Sequence, residues 1–575
     1  MSFRLRSGAR LLLACALAAG ASSSVFGQPA PTQAPVQVPP KPTASAKGLD
    51  PTGPVRQLSI DEAVKLALEQ NLGLQIERFN PELQDLNTAQ VLSNYTPVFG
   101  ASVFTQSQDN PPNSFLSGGT DTISSDNFGF ATSVSKLFPW GTETTVSFDS
   151  GRQKTNSQFA NFNPLLSGNL DLVVTQPLLR NFRFDAVRQQ LFASRKNREI
   201  ADIDLRQAVA QTERTVRNQY WEYVFAINAL KVAQQTLDLA QESLRNTRSR
   251  VEIGTLAPID IVQAESEVAS REEAVILAEA QIGQSEDALR SLIFDPKVPE
   301  FFNMRIEPTD MAPFAVQEVD VTSAVERALK ERTDLISARK RLEITDYNVR
   351  YLRNQTLPGL DLRFDYNTTG LGGTQLITDP NSPLFPPPVI GEERRSYRDV
   401  LANIFSSDFP TWRLALNVSY PLGTSNADAG LARTRLERTQ TETTLRQLEL
   451  NIATQVRDAG RQLVANSKRV DATRAARVLA QRRLEAEEKK FAAGMSTSFE
   501  VFQAQCDLAL SRSNELRAVL DYNQSQVDFE TVQVAPTAGG GASFNVGTAL
   551  GGAVGGAAAG GGGAATGGGP ATGGQ

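Results

Sequence analysis

The chain has 575 residues, more than one ordinary core holds, so several domains or an elongated architecture are expected. A net charge of −6 and a pI near 5.3 leave no basic footprint and argue against a nucleic-acid binder. With no histidine the chain lacks the commonest general base, zinc ligand and Ser/Cys–His nucleophile pair. No compact acid constellation replaces them, so neither an enzyme nor a cofactor or metal site is expected.

Arg4, Arg6 and Arg10 precede the apolar run Leu11–Ala21, and small residues follow up to a candidate cleavage site at Val25-Phe26-Gly27. This is the three-part plan of a secretory signal peptide over 1–27, with Ala19-Gly20-Ala21 as a second possible site. "LLAC", ending at Cys15, is a weak lipoprotein-like box, too close to Arg10 to displace cleavage as the favoured reading. Cleavage leaves Cys506 as the remaining cysteine, so no intramolecular disulfide forms even in an oxidising compartment. Residues 28–57, rich in Pro, Ala, Gln and Thr, read as an extended linker. Beyond residue 25 no run of ~18 apolar residues offers a transmembrane helix.

The body is a tandem repeat, 58–318 and 319–534. "LSIDEAVKLALEQN" (Leu58–Asn71) matches "VDVTSAVERALKER" (Val319–Arg332), Pro97 falls on Pro358, "TQPL" (Thr175–Leu178) on "SYPL" (Ser419–Leu422), and Gly254 on Gly494. In each copy short helices come first and strands follow, over about 97–177 and 358–421. "GLDLRFDYN" and "TWRLALNVSY" alternate apolar and polar residues, with Trp140, Trp412 and Tyr420 near strand ends. A half-buried soluble sheet also alternates. Strands of about nine residues, one face apolar and the other charged, fit an outer-membrane barrel, and too few occur per copy to close a pore alone, which implies oligomerisation. The first copy is longer between its landmarks and contains a possible hairpin, Phe128–Leu137 with Thr142–Asp149. That hairpin is expected to project as an external loop, leaving about four barrel strands per protomer; if it enters the membrane there are six.

Long helices follow, over about 178–253 and 430–493. The first, free of Gly and Pro, would be ~110 Å long. Val209, Val216, Tyr223, Leu230, Leu237, Leu244 and Val251 recur every seven residues, with mostly small residues three positions after each. The second keeps this register with Val456, Leu463, Val470, Leu484 and Phe491, interrupted by Arg477. Such a seam packs helices closely over many turns, and an ordinary coiled coil is the bland alternative. Each helix ends in a glycine tip, 254–258 and 494–498, and a return helix follows over 259–293 and 499–533. Each tip carries an acid six residues after the glycine (Asp260, Glu500) and then Gln-Ala (Gln263-Ala264, Gln503-Ala504). Glycine permits the turn; Pro258 pre-sets the first return helix and Ser498 is expected to cap the second. The segment 535–575, almost all Gly, Ala and Thr, is expected to be disordered.

The duplicated opening, the "TQPL" and "SYPL" junctions and the paired glycine tips resemble the TolC family of outer-membrane efflux proteins over about residues 58–533. The resemblance implies an α+β membrane protein: a β-barrel continuous with a periplasmic α-helical barrel, shared by a homotrimer in the outer-membrane lipid. It implies docking of a periplasmic adaptor protein and an inner-membrane transporter at the tips, through Gly254, Thr255, Leu256, Gly494, Met495 and Ser496. It implies a charged constriction just after the second tip, where Glu500 takes the first acid position and Gln503, a neutral departure, the second. Three carboxylates rather than six would then ring the mouth and favour cations. Asp260 is the first-copy equivalent, a second candidate for the same entrance. Either acid is also accounted for as a solvated carboxylate near a helix N-terminus. A periplasmic adaptor with one helical hairpin between Gly-rich β halves is the runner-up. A carboxylate-only hydrolase is a distant third.

Overall fold

The computed structural model describes residues 55–111, 122–295, 297, 304–310, 314, 318–382 and 388–537. The expected signal peptide and nearly all of the expected linker and Gly/Ala-rich tail lie outside them. The first copy opens with strand β1 (Val55–Leu58) and helices α1 (Ile60–Gln70) and α2 (Leu72–Leu92). Strands β2 (Val98–Asn110), β3 (Ile123–Leu137), β4 (Glu143–Thr155) and β5 (Phe162–Pro177) follow, then helices α3 (Ala186–Glu252) and α4 (Ile259–Ile293). Strand β6 (Arg305–Pro308) leads into helices α5 (Val321–Glu331) and α6 (Thr333–Gln355), strands β7 (Gly359–Thr378) and β8 (Val389–Arg395), and the short helix α7 (Tyr397–Phe405). Strand β9 (Pro410–Ser419) then precedes helices α8 (Asn426–Ala492) and α9 (Ser498–Val532). Among the described residues no helix is long and apolar enough to cross a membrane.

The duplication is exact in length where it matters: α3 and α8 have 67 residues each, α4 and α9 have 35. At 1.5 Å per residue the long helices run about 100 Å. They start at 186 and 426 rather than at 178 and 430. In the first copy Asn181 adopts φ +66° and breaks the chain before the helix, and the Asp185 carboxylate then accepts from the Arg188 N–H at 2.7 Å. In the second, Ser425 and Asp428 form a capping box. The expected linker also ends early, because Val55–Leu58 pairs in parallel with β6 and Leu58 is fully buried.

Around the middle of α3 a belt of apolar residues forms the largest core, with Val216, Tyr220, Tyr223, Leu289, Ile293 and Ile306 almost inaccessible. The hydroxyls of Tyr220 and Tyr223 donate to the carbonyls of Leu58 and Ile306 at 3.0 and 2.6 Å, so both strands of the small sheet are tied to α3. In the second copy Ala324, Ala328, Ile452, Val456 and Val532 pack the equivalent contact of α5 against α8. Along α8 the seam residues Val456, Leu463, Val470 and Leu484 are buried. The interruption at Arg477 is an ion pair with Glu515 of α9. From Ala226 to the end of α3 the buried residues are the small ones, Ala226, Thr236, Ala240 and Thr247, while Leu230, Leu237 and Leu244 are only half-buried.

The large sheet is antiparallel in the order β2-β3-β4-β5-β7, with β8 and β9 sharing the far side of β7. The hairpin expected to project as a loop does not. As β3 and β4 it is paired along its length with β2 on one side and β5 on the other. The alternation continues into polar residues such as Asp126 and Asn127, which is why the strands exceed nine residues. One face carries Leu360, Leu362, Phe364 and Tyr366 of β7, and the other Asp361, Arg363, Asp365 and Asn367. On the polar face Arg363 pairs with Asp365 at 2.7 Å and the Asn367 amide donates to Asp171. Helix α7 lies on the apolar face near the strand ends remote from the long helices, burying Val400 and Ile404. Gly168 and Gly372 admit it: a Cβ there would stand 2.8 Å from Ile404 Cδ1 and 2.6 Å from Val400 Cγ2.

Candidate functional site

Both tips are built by the same backbone device. Gly254 and Gly494 lie at φ +79° and +72°, the left-handed region where a side chain is strained. The Gly254 N–H donates to the Val251 carbonyl at 2.9 Å and the Thr255 N–H to that of Arg250 at 2.9 Å. In the second copy Gly494 donates to Phe491 at 3.1 Å and Met495 to Lys490 at 2.8 Å. These are the paired 5→2 and 6→1 bonds of a Schellman cap. After the first tip Pro258 takes helical angles and the Asp260 carboxylate accepts from the Ala257 N–H at 3.2 Å. After the second, Thr497 rather than Ser498 is the cap, its hydroxyl accepting from the Glu500 N–H at 3.4 Å; Ser498 is already the first helical residue.

The two tips sit side by side. The Arg250 guanidinium lies 4.1 Å from the centre of the Phe491 ring, a cation–π contact from the last turn of α3 to the last turn of α8. Ala504 is fully buried with Leu484, Val501 and Leu508 between α8 and α9. The Ala of the Gln-Ala pair is therefore small because two helices meet at it.

The expected constriction residues are not equivalent. Glu500 is exposed in the first turn of α9. Asp260 is half-buried, in a groove with Thr247 of α3, Gln263 and Glu267 of α4, and Phe502 and Gln505 of α9. Gln503 is exposed, and its amide donates to Asp507 at 3.2 Å. Asp507 also accepts from Arg483 of α8 at 2.6 Å. This acid, one turn above Gln503, was missed from the sequence although its i,i+4 spacing on α9 was available.

Of the expected docking residues, Thr255 turns its hydroxyl back to the Arg250 carbonyl at 2.9 Å, and the Ser496 hydroxyl donates to Glu487 at 2.9 Å. The Lys490 ammonium first, and Ser496 second, hold the Glu487 carboxyl below its usual range. Leu256 is half-buried and Met495 exposed. Sequence reasoning also missed an apolar collar: Ile253, Ile259 and Val262 at the first tip, and Phe499 with Met495 at the second, each expose more than half of their accessible surface. Farther up, burial raises the pKa of the Cys506 thiol, aided by Glu267, while Arg271 donates to its Sγ at 3.0 Å.

Residues 143–293 and 324–532, from β4 to the end of α4 and from within α5 to the end of α9, match the family described as outer membrane efflux protein. The chain belongs to the outer membrane efflux protein family. Among curated relatives it is 28% identical over 204 residues to the pyoverdine export outer membrane protein OpmQ of Pseudomonas putida, a match spanning 35% of this chain and 40% of that protein's length. Among solved structures it is similar to a membrane protein from Pseudomonas aeruginosa, at TM-score 0.60 and 15% identity, covering 82% of this chain and 92% of that one. It is also similar to the Campylobacter jejuni CmeC outer membrane channel, at TM-score 0.58 and 15% identity, covering 83% and 85%. At that identity these likenesses concern the fold. The family's two matched blocks each close on a return helix, so both tips lie inside the shared architecture.

Proposed function

We propose that the chain is one protomer of a homotrimeric outer-membrane channel, the passive exit duct of a tripartite efflux or type I secretion machine. The observation that carries this is the pair of length-matched hairpins, α3–α4 and α8–α9, whose tips touch at one end while the parent helices lead at the other into a membrane-type sheet. Lipid surrounds the apolar face of the sheet, and water fills the polar side. The exposed apolar collar at the tips is the surface offered to a periplasmic adaptor, through which an inner-membrane transporter supplies both cargo and energy. Glu500, exposed at the second tip, charges the mouth; Asp260 contributes from its groove. An adaptor needs one hairpin and no membrane wall, so two hairpins joined to a sheet with an exposed apolar face favour the channel over it.

The test is conductance and ion selectivity of the purified protein in planar bilayers, wild type against Glu500→Ala. Discrete cation-preferring events whose preference falls in the variant are expected. Folded protein that never inserts would overturn the channel reading, and insertion with unchanged selectivity would remove Glu500 from the mouth.

A further inference from the structure

Four strands of the sheet continue long helices: α2 leads into β2, β5 into α3, α6 into β7, and β9 into α8. Those helices are neighbours in the same order, α2 beside α3, α3 beside α6, α6 beside α8. Strands β3 and β4 continue no helix. They are inserted between β2 and β5, and their registers run unbroken from Val98↔Ser135 to Asn110↔Ile123 and from Leu137↔Glu143 to Ser125↔Thr155.

The insertion carries the two faces of the sheet across without a change of side. Paired residues trace one apolar row through all six long strands: Trp412, Tyr366, Leu172, Val146, Val134 and Phe99. The next row on the other face is polar or small: Thr411, Asn367, Asp171, Ser147, Ser133 and Gly100. Val134 and Val146 are 43% and 40% exposed, as a lipid-facing wall requires and a loop in water does not. Phe104 lies over Gly129 on the polar side, which pins the β2–β3 register.

Among the described residues the outer edges of β2 and β9 are unpaired. Open edges do not exist in lipid, and even eight strands make a barrel filled by its own side chains, so six cannot close on themselves around water. All neighbours are antiparallel, so β2 and β9 run in opposite directions and the β9 of one copy can pair with the β2 of the next. Resting on the reading of this chain as one third of a closed channel, we infer that each protomer contributes six strands and that the trimer closes an eighteen-stranded barrel.

The width follows from spacing. Eighteen strands about 4.8 Å apart and tilted about 40° enclose a ring about 36 Å across, against about 24 Å for twelve. A ring of four helices per protomer, at axial spacings of about 9 Å, is about 34 Å across. The inserted hairpin therefore brings the wall to the girth of the helical tunnel. The membrane section is not the size filter for cargo; selection by size falls to the tips.

The test uses the full chain in lipid nanodiscs, with Cys506→Ser as background and single cysteines carrying an environment-sensitive fluorophore. Val134→Cys and Val146→Cys are expected to be quenched by about half or more by nitroxides on the lipid chains, while Ser133→Cys and Ser147→Cys react with a water-soluble maleimide. Leu416→Cys, on the apolar face of β9, is the control for the shared wall. Quenching at Leu416→Cys with both hairpin faces open to water would overturn the eighteen-stranded barrel and leave the channel standing. Absence of quenching at Leu416→Cys as well would overturn the channel. A cross-section of the barrel by electron cryomicroscopy gives the same decision by counting strands.

Discussion

Replacing Gly254 or Gly494 by alanine tests whether the tips are held by backbone geometry alone. A Cβ built on either glycine meets nothing within 4 Å, so alanine brings no clash. What remains is the left-handed backbone at φ +79° and +72°, which costs an L-residue about 1–2 kcal/mol. That cost falls on the cap, because the amides of Gly254, Thr255, Gly494 and Met495 bond to the last turns only while the glycines hold that conformation. Such a loss accelerates opening of the last turn about 5–30-fold. Hydrogen exchange followed by mass spectrometry should show this acceleration in peptides spanning 245–256 for Gly254→Ala and 485–497 for Gly494→Ala. Asparagine, which tolerates the left-handed region better, should give a smaller effect at both sites. Equal caps in open space predict equal costs, within about 0.5 kcal/mol. A large effect at one tip and none at the other, or no effect at either, would refute the argument from backbone geometry.

Gln503→Glu should increase cation preference in reversal-potential measurements on bilayers, and Glu500→Gln should lower it. Ala504→Leu places a larger side chain where none is accommodated between α8 and α9; overpacking of about 1–3 kcal/mol should expose the second hairpin to protease near its tip while the α3–α4 hairpin stays resistant. The Asp428 carboxylate is held below its usual pKa first by the Ser425 hydroxyl at 2.7 Å and then by the Ser425 N–H at 3.1 Å. A depressed carboxylate stabilises the fold above its unfolded pKa, and the contribution is lost as pH falls through the folded value. Protection of the first turn of α8, corrected for intrinsic exchange, should therefore persist below about pH 4 in wild type and fail at higher pH in Ser425→Ala.

The features most legible in the sequence were those enforced by a single residue type. Gly254 and Gly494 announce their turns because only glycine enters the left-handed region cheaply. The helices between junction and tip were legible from the absence of Gly and Pro, but their starts were not. From Leu178 to Asp185 nothing in the composition forbids helix; the break comes from Asn181 and the cap from Asp185, an acid like many others on the surface. Thr497 and Ser498 are adjacent hydroxyls, and one residue of phase decided which of them caps. Arg477 looked like a flaw in the apolar seam because its partner, Glu515, lies on a different helix. The hairpin was underestimated for a similar reason. "FGFATSVSKL" and "TETTVSFD" are rich in small and polar residues, since one of their two faces is polar, and only pairing with β2 and β5 shows that they belong to the sheet. At the site, the acid positions after each glycine were visible, and so was the i,i+4 spacing of Gln503 and Asp507, but the half-burial of Asp260 depends on which way its return helix faces.

The equality of the two hairpins has a consequence for whatever meets the channel from below. In the proposed trimer the side chains would repeat three times around the axis, but each protomer presents two tips with the same helix lengths, the same cap and neighbouring positions. Seen end-on, the backbone of that assembly would repeat six times. A partner that grips backbone shape and the apolar collar can therefore assemble as six copies on three subunits, each at a nearly equivalent seat. A partner that discriminates between seats has only side chains to read, such as Leu256 against Ser496 or Pro258 against Ser498. In such an assembly the glycines would govern how many copies of a partner fit, and the few residues around them how each is oriented.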